Sequence, residues 1–206
     1  MSLKPTIRSK LIARLERYEG RSPHLYLDSL GFVTVGVGHL IETEADIDTL
    51  DFYTLSNGKP DRLADSKRKR AEYAAVATLT PNRSLNYYKS NTSLVMVDAD
   101  IDALTAKHIQ SFYSELVADY RVSKGYTSNF DDFPEEVQLA LFDMIFNLGR
   151  GRLKSQFVKF NTAVKSEDWT TAGRESRRFQ LQAPRNNYVK SLFDKAAADA
   201  AKAKVP

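Results

Sequence analysis

Two carboxylates nine positions apart, Glu19 and Asp28, lie in the stretch RYEGRSPHLYLDSLGFVTVGVGHLI (Arg17–Ile41), with Thr34, Gly36, Gly38 and His39 close behind. Cleavage of a glycosidic bond asks for such a pair, one carboxyl protonated and one ionised. Glu19 ends a predicted helix, where the last carbonyls carry partial negative charge and disfavour an anion. That favours the protonated form a general acid needs. Asp28 ends the first predicted strand, and a turn at GRSPH would fold that strand back past the helix end, so that the two carboxyls face each other across a gap. Thr34, six positions further on, supplies a hydroxyl that would hold a water beside Asp28.

In FVTVGVG a period of two places Phe32, Thr34, Gly36 and Gly38 on one face and Val33, Val35 and Val37 on the other. The valine face is expected in the core. The opposite face is bare, and two glycines on it suggest a close approach to the backbone, for which a sugar is one candidate. A plainer reading covers the same residues: Glu19 a surface acid, Asp28 a turn residue, Gly36 and Gly38 the mark of a bulge. Spacing alone leaves both open. A dinucleotide fingerprint at GVG is set aside, because neither a third glycine nor a helix start follows.

The elements that must position these groups follow from periodicity. Ile7, Leu11, Ile12, Leu15 and Tyr18 form one apolar stripe over residues 5–19, with Gly20 as C-terminal cap. Residues 25–40 switch to strand periodicity around a turn at Ser29–Gly31. Residues 42–99 are harder to read. DRLADSKRKRAEYAAVATL looks helical, TPNRSLNYYKSN reads as loop, and SLVMVD as a short extended piece. The run Lys67–Arg70 reads as a solvated helix face rather than a binding patch. From about Asp100 the pattern is helical. DDFPEEVQLALFDMIFNLG is the expected central buried helix, with Pro134 and acids in its first turn and Gly149 at its end. Three shorter helices follow. The expected architecture is α+β: a small N-terminal β-hairpin lobe and a larger helical lobe, with a cleft between them as the natural ligand site. Residues 1–206 are expected to form a single domain, with 20–99 as the β-containing lobe and 100–206, packed with helix 5–19, as the helical one.

Composition narrows the chemistry. Hydrophobic residues make up 42% of 206, enough for a substantial core, and no apolar run is long enough to span a bilayer. The N-terminal segment lacks a signal-peptide core, so no leader and no membrane anchor are expected. Without cysteine there is no disulfide, no Cys-ligated zinc and no thiol nucleophile. The three histidines are scattered, so no metal is expected. The net charge of +4 suits an anionic partner, a bacterial wall among them, and equally suits ordinary solubility.

The segment YEG…YLDSLGFVTVGVGHLI closely resembles the phage-type lysozymes of glycoside hydrolase family 24, whose pattern runs Glu-Gly, then Tyr-x-Asp-x-x-Gly-x-x-Thr-x-Gly-x-Gly-His. FPEEVQLALFDMIFNLGRGRLKSQFVKFNTAVKSEDWTTAGRES is similar to the buried helix of that family, its Asn-x-Gly end and the Trp-bearing helix after it. RRFQLQAPRNNY is similar to its Arg-rich segment. The resemblance implies a lysozyme-like fold and hydrolysis of the bond between N-acetylmuramic acid and N-acetylglucosamine, with inversion and without a cofactor. It makes Glu19 the general acid, Asp28 the carboxylate of the opposite face and Thr34 the residue that positions water. Gly36 and Gly38 would lie against substrate, Arg185 would contact substrate or pair with Glu19, and His39 would be structural, paired to an acid. Residues 42–95 are longer than the family's connection and form an atypical insertion.

The implied partner is bacterial peptidoglycan, with an immunity or inhibitor protein as a candidate second one, no nucleic acid, and a monomeric chain. Such an enzyme is made in the cytoplasm and reaches the wall through a holin pore or another secretion route, as a phage endolysin or an antibacterial toxin domain. The rival expectation is a non-catalytic glycan-binding module on the same fold.

Overall fold

Helix α1 (Pro5–Glu19) forms as its apolar stripe requires, with Ile7, Leu11 and Leu15 buried. It stops where Gly20 adopts φ +77° and its N–H closes on the Glu16 carbonyl at 3.0 Å, so that Glu19 is the last helical residue. The structure, a computed structural model, describes residues 3–203. It mixes helices with two small antiparallel sheets and is α+β. None of the described helices is long and apolar enough to cross a membrane. The chain divides into two compact units: residues up to Leu11 together with those from Ile109 onward, and residues Ile12–His108. The boundaries of these units fall inside two helices, α1 and α4 (Asp98–Asp119).

In the Ile12–His108 unit, β1 (Ser22–Leu27), β2 (Val33–Gly36) and β3 (His39–Leu40) form one sheet in that order. Val33, Val35 and Val37 are buried, as the alternation required. The single long second strand expected from FVTVGVGHL is instead two strands broken by a tight turn at Val37–Gly38. The second sheet has the order β5 (Lys59–Leu63), β4 (Tyr53–Ser56), β6 (Leu94–Val95). Its hairpin turns at Asn57-Gly58, both at positive φ (50° and 74°), the conformation that two-residue hairpin loops select. That Asn-Gly signal lies inside the stretch that had no clear periodicity. A Met96 N–H to Pro23 carbonyl bond of 2.8 Å links the region after β6 to β1.

Helices α2 (Ser66–Ala77) and α3 (Leu85–Lys89) complete the segment between β5 and β6, and α3 replaces part of an expected loop. Ser84 caps α3 by accepting from Tyr87 N–H, the type of signal that marks a helix start. The basic run at the head of α2 is not a fully solvated face. Lys69 is buried and donates to the Asp48 and Leu50 carbonyls at 3.1 and 2.8 Å, while Arg70 is ion-paired with Asp48.

The other unit is helical: the later part of α4, then α5 (Glu135–Ser155), α6 (Val158–Lys165), α7 (Trp169–Glu175) and α8 (Ala183–Lys202). Helix α5 is the buried one, through Val137, Leu141, Met144 and Ile145 among others. The helical geometry of the buried stretch breaks at Gly149, as expected, and a second helical stretch follows within the same span. At φ 69°, ψ 158° this glycine kinks the chain, which resumes helical geometry to Ser155. Trp169 stacks on Phe193 (centroids 6.3 Å apart), and Gly173 leaves no room for a side chain, since a Cβ there would come within 3.0 Å of Phe193 Cβ.

Candidate functional site

Glu19, Asp28, Thr34, Gly36, Gly38 and His39 all belong to the Ile12–His108 unit. Glu19 is half-buried at the end of α1. The chain leaves it through Arg21, whose Nη1 donates to Glu16 Oε1 at 3.0 Å and to Asp102 Oδ1 at 2.8 Å, and whose Nη2 donates to Asp98 Oδ1 at 3.0 Å. This guanidinium ties the end of α1 to the start of α4 and fixes the backbone that carries Glu19. Periodicity does not reveal this role, because two of its three carboxylate partners lie about eighty positions away.

Gly38 abuts Glu19 directly. A Cβ on Gly38 would lie 3.3 Å from both Cβ and Cγ of Glu19 and 3.5 Å from its Oε2. Its φ of +70° is also one that side chains resist. The glycine is therefore required by the glutamate as well as by the turn. Gly36 is different. It also has positive φ (+66°), but a Cβ there would point to Ile101 Cγ2 at 3.5 Å and Leu104 Cδ2 at 3.9 Å of α4. Gly36 faces packed aliphatic side chains. The expectation that both glycines share one bare face with Thr34 does not hold: Gly36 packs against α4, and the turn at Val37–Gly38 takes Gly38 out of the strand alternation.

Asp28 organises the turn between β1 and β2. Its Oδ1 accepts from the N–H groups of Leu30 and Phe32, both at 2.9 Å, while its own N–H and carbonyl bond to Phe32 and Gly31. None of these bonds uses Oδ2. The turn reading and the chemical reading thus use different oxygens of one carboxylate. Thr34, opposite Tyr26 in the strand register, is 3% exposed and donates its hydroxyl to the Phe32 carbonyl at 3.0 Å. Its proton is engaged, so toward a water it has only acceptor capacity.

Tyr26 joins these groups. Its phenol is pushed well up, first by burial, then by the negative charges of Glu19 and Asp28, and it is hydrogen-bonded to the backbone of Gly38. One hydroxyl therefore feels both carboxylates and touches the turn that clears Glu19. Sequence reading quoted Tyr26 only as part of a motif. Alternation along β1 places it on the same face as Asp28 and His24, which is the sequence signal for its position.

His39 is not paired to an acid. Its Nδ1 lies 2.8 Å from Nε2 of His108, ring centroids 4.6 Å apart. One nitrogen must donate and the other accept, so the accepting ring is neutral and the two rings cannot both be charged in this contact. Burial, then His108, then Lys107 push His39 down to about 4, against a smaller pull from Asp46. Burial and Lys107 lower His108 as well. The pair borders a shallow cavity of about 270 Å³ that Asp51 and Asp100 also line.

Arg185 lies in the other unit, nearly buried at 8% exposure. Its Nε shares the Asp143 carboxylate (3.3 Å to each oxygen) with Arg178, whose Nη1 reaches Asp143 Oδ1 at 2.6 Å. Arg185 is thus a nearly buried guanidinium whose Nε is bound to the Asp143 carboxylate. Neighbouring Asn186 clamps backbone atoms of Arg178 and Leu181. Among the described residues no group of three or more His, Asp or Glu side chains forms a metal-binding cluster.

No protein-family model matches this chain, and comparison with curated proteins returns no match. What stands for a function is the geometry around Glu19, Asp28 and Tyr26, with the motif that first drew attention to it.

Proposed function

We propose that the chain is a muramidase on a lysozyme-like fold, cleaving the β-1,4 bond between N-acetylmuramic acid and N-acetylglucosamine in peptidoglycan. The reading rests above all on the placement of Glu19 at the end of α1 against the Gly38 turn, and of Asp28 in the β1–β2 turn with Oδ2 outside the bonds of that turn. Protonated Glu19 gives its proton to the glycosidic oxygen as the bond to the anomeric carbon breaks. A water adds to that carbon from the opposite face, and its proton passes to Asp28 through Oδ2, the oxygen the turn does not use. Thr34 accepts a hydrogen bond from the water and so orients it. Inversion asks for a separation of roughly 6.5–9.5 Å between the two carboxyls, which leaves room for the water.

The experiment is clearance of purified peptidoglycan by wild type and by Glu19→Gln. The amide is nearly isosteric, so the fold survives, and loss of a general acid costs about 10²–10⁴ in rate. Near-wild-type clearance by a folded Glu19→Gln protein refutes the reading. Binding of walls by both proteins with hydrolysis by neither would make the chain a glycan-binding module instead.

A further inference from the structure

Between α7 and α8 the chain passes through a turn that is anchored on its inner side and bare on its outer side. Arg178 has no exposure (0%) and is bound through Nη1 to the carboxylate and carbonyl of Asp143, at 2.6 and 3.2 Å. Asn186 accepts from the Arg178 N–H at 2.9 Å and donates to the Arg178 and Leu181 carbonyls at 2.9 and 3.2 Å. The Leu181 N–H closes the turn on the Arg178 carbonyl at 3.2 Å. One residue after the buried arginine, Phe179 is 87% exposed, the most exposed large apolar side chain among the described residues. A phenyl ring on a loose loop would fold down onto apolar surface, because leaving it in water costs about 2 kcal/mol. Here the clamped backbone holds it out.

A cavity lies on either side of the ring, one of about 580 Å³ walled by Leu148, Phe157, Val158 and Phe160 among others, the second of about 470 Å³ reaching Ser176 and Asn187. Phe179, Arg174 and Arg177 line both. Arg174 is paired with Glu175, and Lys190 with Asp194. Lys159 and Arg177 have no carboxylate partner among the described residues, and the Arg177 guanidinium stands 5.4 Å from the Phe179 ring centroid. The surface thus combines a preorganised aromatic, apolar hollows and surplus positive charge. Such aromatic and arginine anchors dominate protein interfaces, and their rigidity lowers the ordering cost of binding. A cation over one ring face disfavours sugar stacking there, and hollows walled by aliphatic and aromatic groups suit side chains better than hydroxyl-rich rings.

We propose that this surface docks an acidic polypeptide segment, which seats an apolar side chain beside Phe179 and sets its carboxylates against Arg177 and Lys159. The inference does not depend on the muramidase reading.

The test titrates the isotope-labelled full chain with defined probes and follows its amide resonances. The probes are a short synthetic peptide with a central leucine flanked by runs of glutamate, the same peptide with serine for leucine, one with lysines for the glutamates, and soluble peptidoglycan fragments. The glutamate–leucine peptide should shift the amides of residues 157–160 and 174–181, and salt should weaken it. Its affinity should fall about tenfold or more in Phe179→Ala and in Arg177→Glu. Both side chains project from the clamped turn, so circular dichroism should show an intact fold. Equal binding of the serine or lysine peptide, unchanged affinity in Phe179→Ala, or no shift with any probe overturns the proposal. If peptidoglycan fragments shift these amides and the acidic peptide does not, the surface is a wall contact and the proposal fails.

Discussion

Asp28 and Glu72 are carboxylates of one unit, both bonded to backbone N–H groups, and they are used in opposite ways. Glu72, in the insertion, is buried. Its Oε2 accepts from the Ser93 N–H and hydroxyl at 2.7 Å, and both its oxygens lie 3.1 Å from the Leu94 nitrogen. Both its oxygens serve to pin the start of β6 to α2. Asp28, in the 20–41 segment, commits only Oδ1 to its turn. Lys69 and Arg70 extend the contrast, since both are drawn into contacts with the segment around Asp48 and Leu50. The insertion uses its charges as architecture. The segment from Glu19 to Ile41 uses glycines for its shape, and its turn engages only Oδ1 of Asp28.

This contrast can be broken or sharpened by substitution. The largest effect is expected from Asp28→Asn. The amide oxygen can replace Oδ1 in the turn, so thermal stability should hold while peptidoglycan clearance falls by about 10²–10⁴. A parallel loss of stability and activity would mean that Asp28 is a turn residue only. Glu72→Ala should do the reverse. It strands buried donors at Ser93 and Leu94 and should cost about 3 kcal/mol in denaturant unfolding. Specific activity of the remaining folded fraction should be near wild type.

Gly38→Ala lies between the two. Positive φ alone costs roughly 1–2 kcal/mol. The new Cβ must also displace Glu19, from which it would stand 3.3 Å, so both melting temperature and clearance should drop. Gly36→Ala should lower stability by a similar amount with less effect on turnover per folded molecule, because its Cβ would meet Ile101 and Leu104.

Protonation of the His39–His108 contact provides a smaller effect. His39 in the folded chain sits at about 4, below its ordinary 6.5. Its contribution is therefore complete above pH 6.5 and is lost as pH falls from 6.5 towards 4. After solvent screening the loss should be about 1–2 kcal/mol. Unfolding curves across that window should flatten in a His39→Gln variant, and an unchanged pH slope would show that the pair is not linked to folding. The smallest effect on stability belongs to Thr34→Val, which removes one hydrogen bond to the Phe32 carbonyl and should stay within about 1 kcal/mol. Wall clearance should fall less than for Asp28→Asn. Wild-type clearance would remove water positioning from the role of Thr34.

The sequence by itself determined α1 and its end at Glu19, the valine face of the hairpin and the buried run of α5, because each depends on local periodicity and on caps a few residues away. It also brought Glu19, Asp28 and Thr34 forward as candidates, through residue types within one short segment. Tertiary structure decided what those residues touch. Gly38 makes room for Glu19 while Gly36 packs on α4, a distinction set by a turn that two-residue alternation cannot represent. His39 meets His108 rather than an acid, and Arg185 joins Arg178 on Asp143, over separations of 69 and 42 positions. Lys69 is buried within a run that looks solvated. A charged side chain can be buried only where distant groups satisfy it, so its fate depends on which parts of the chain the fold brings together.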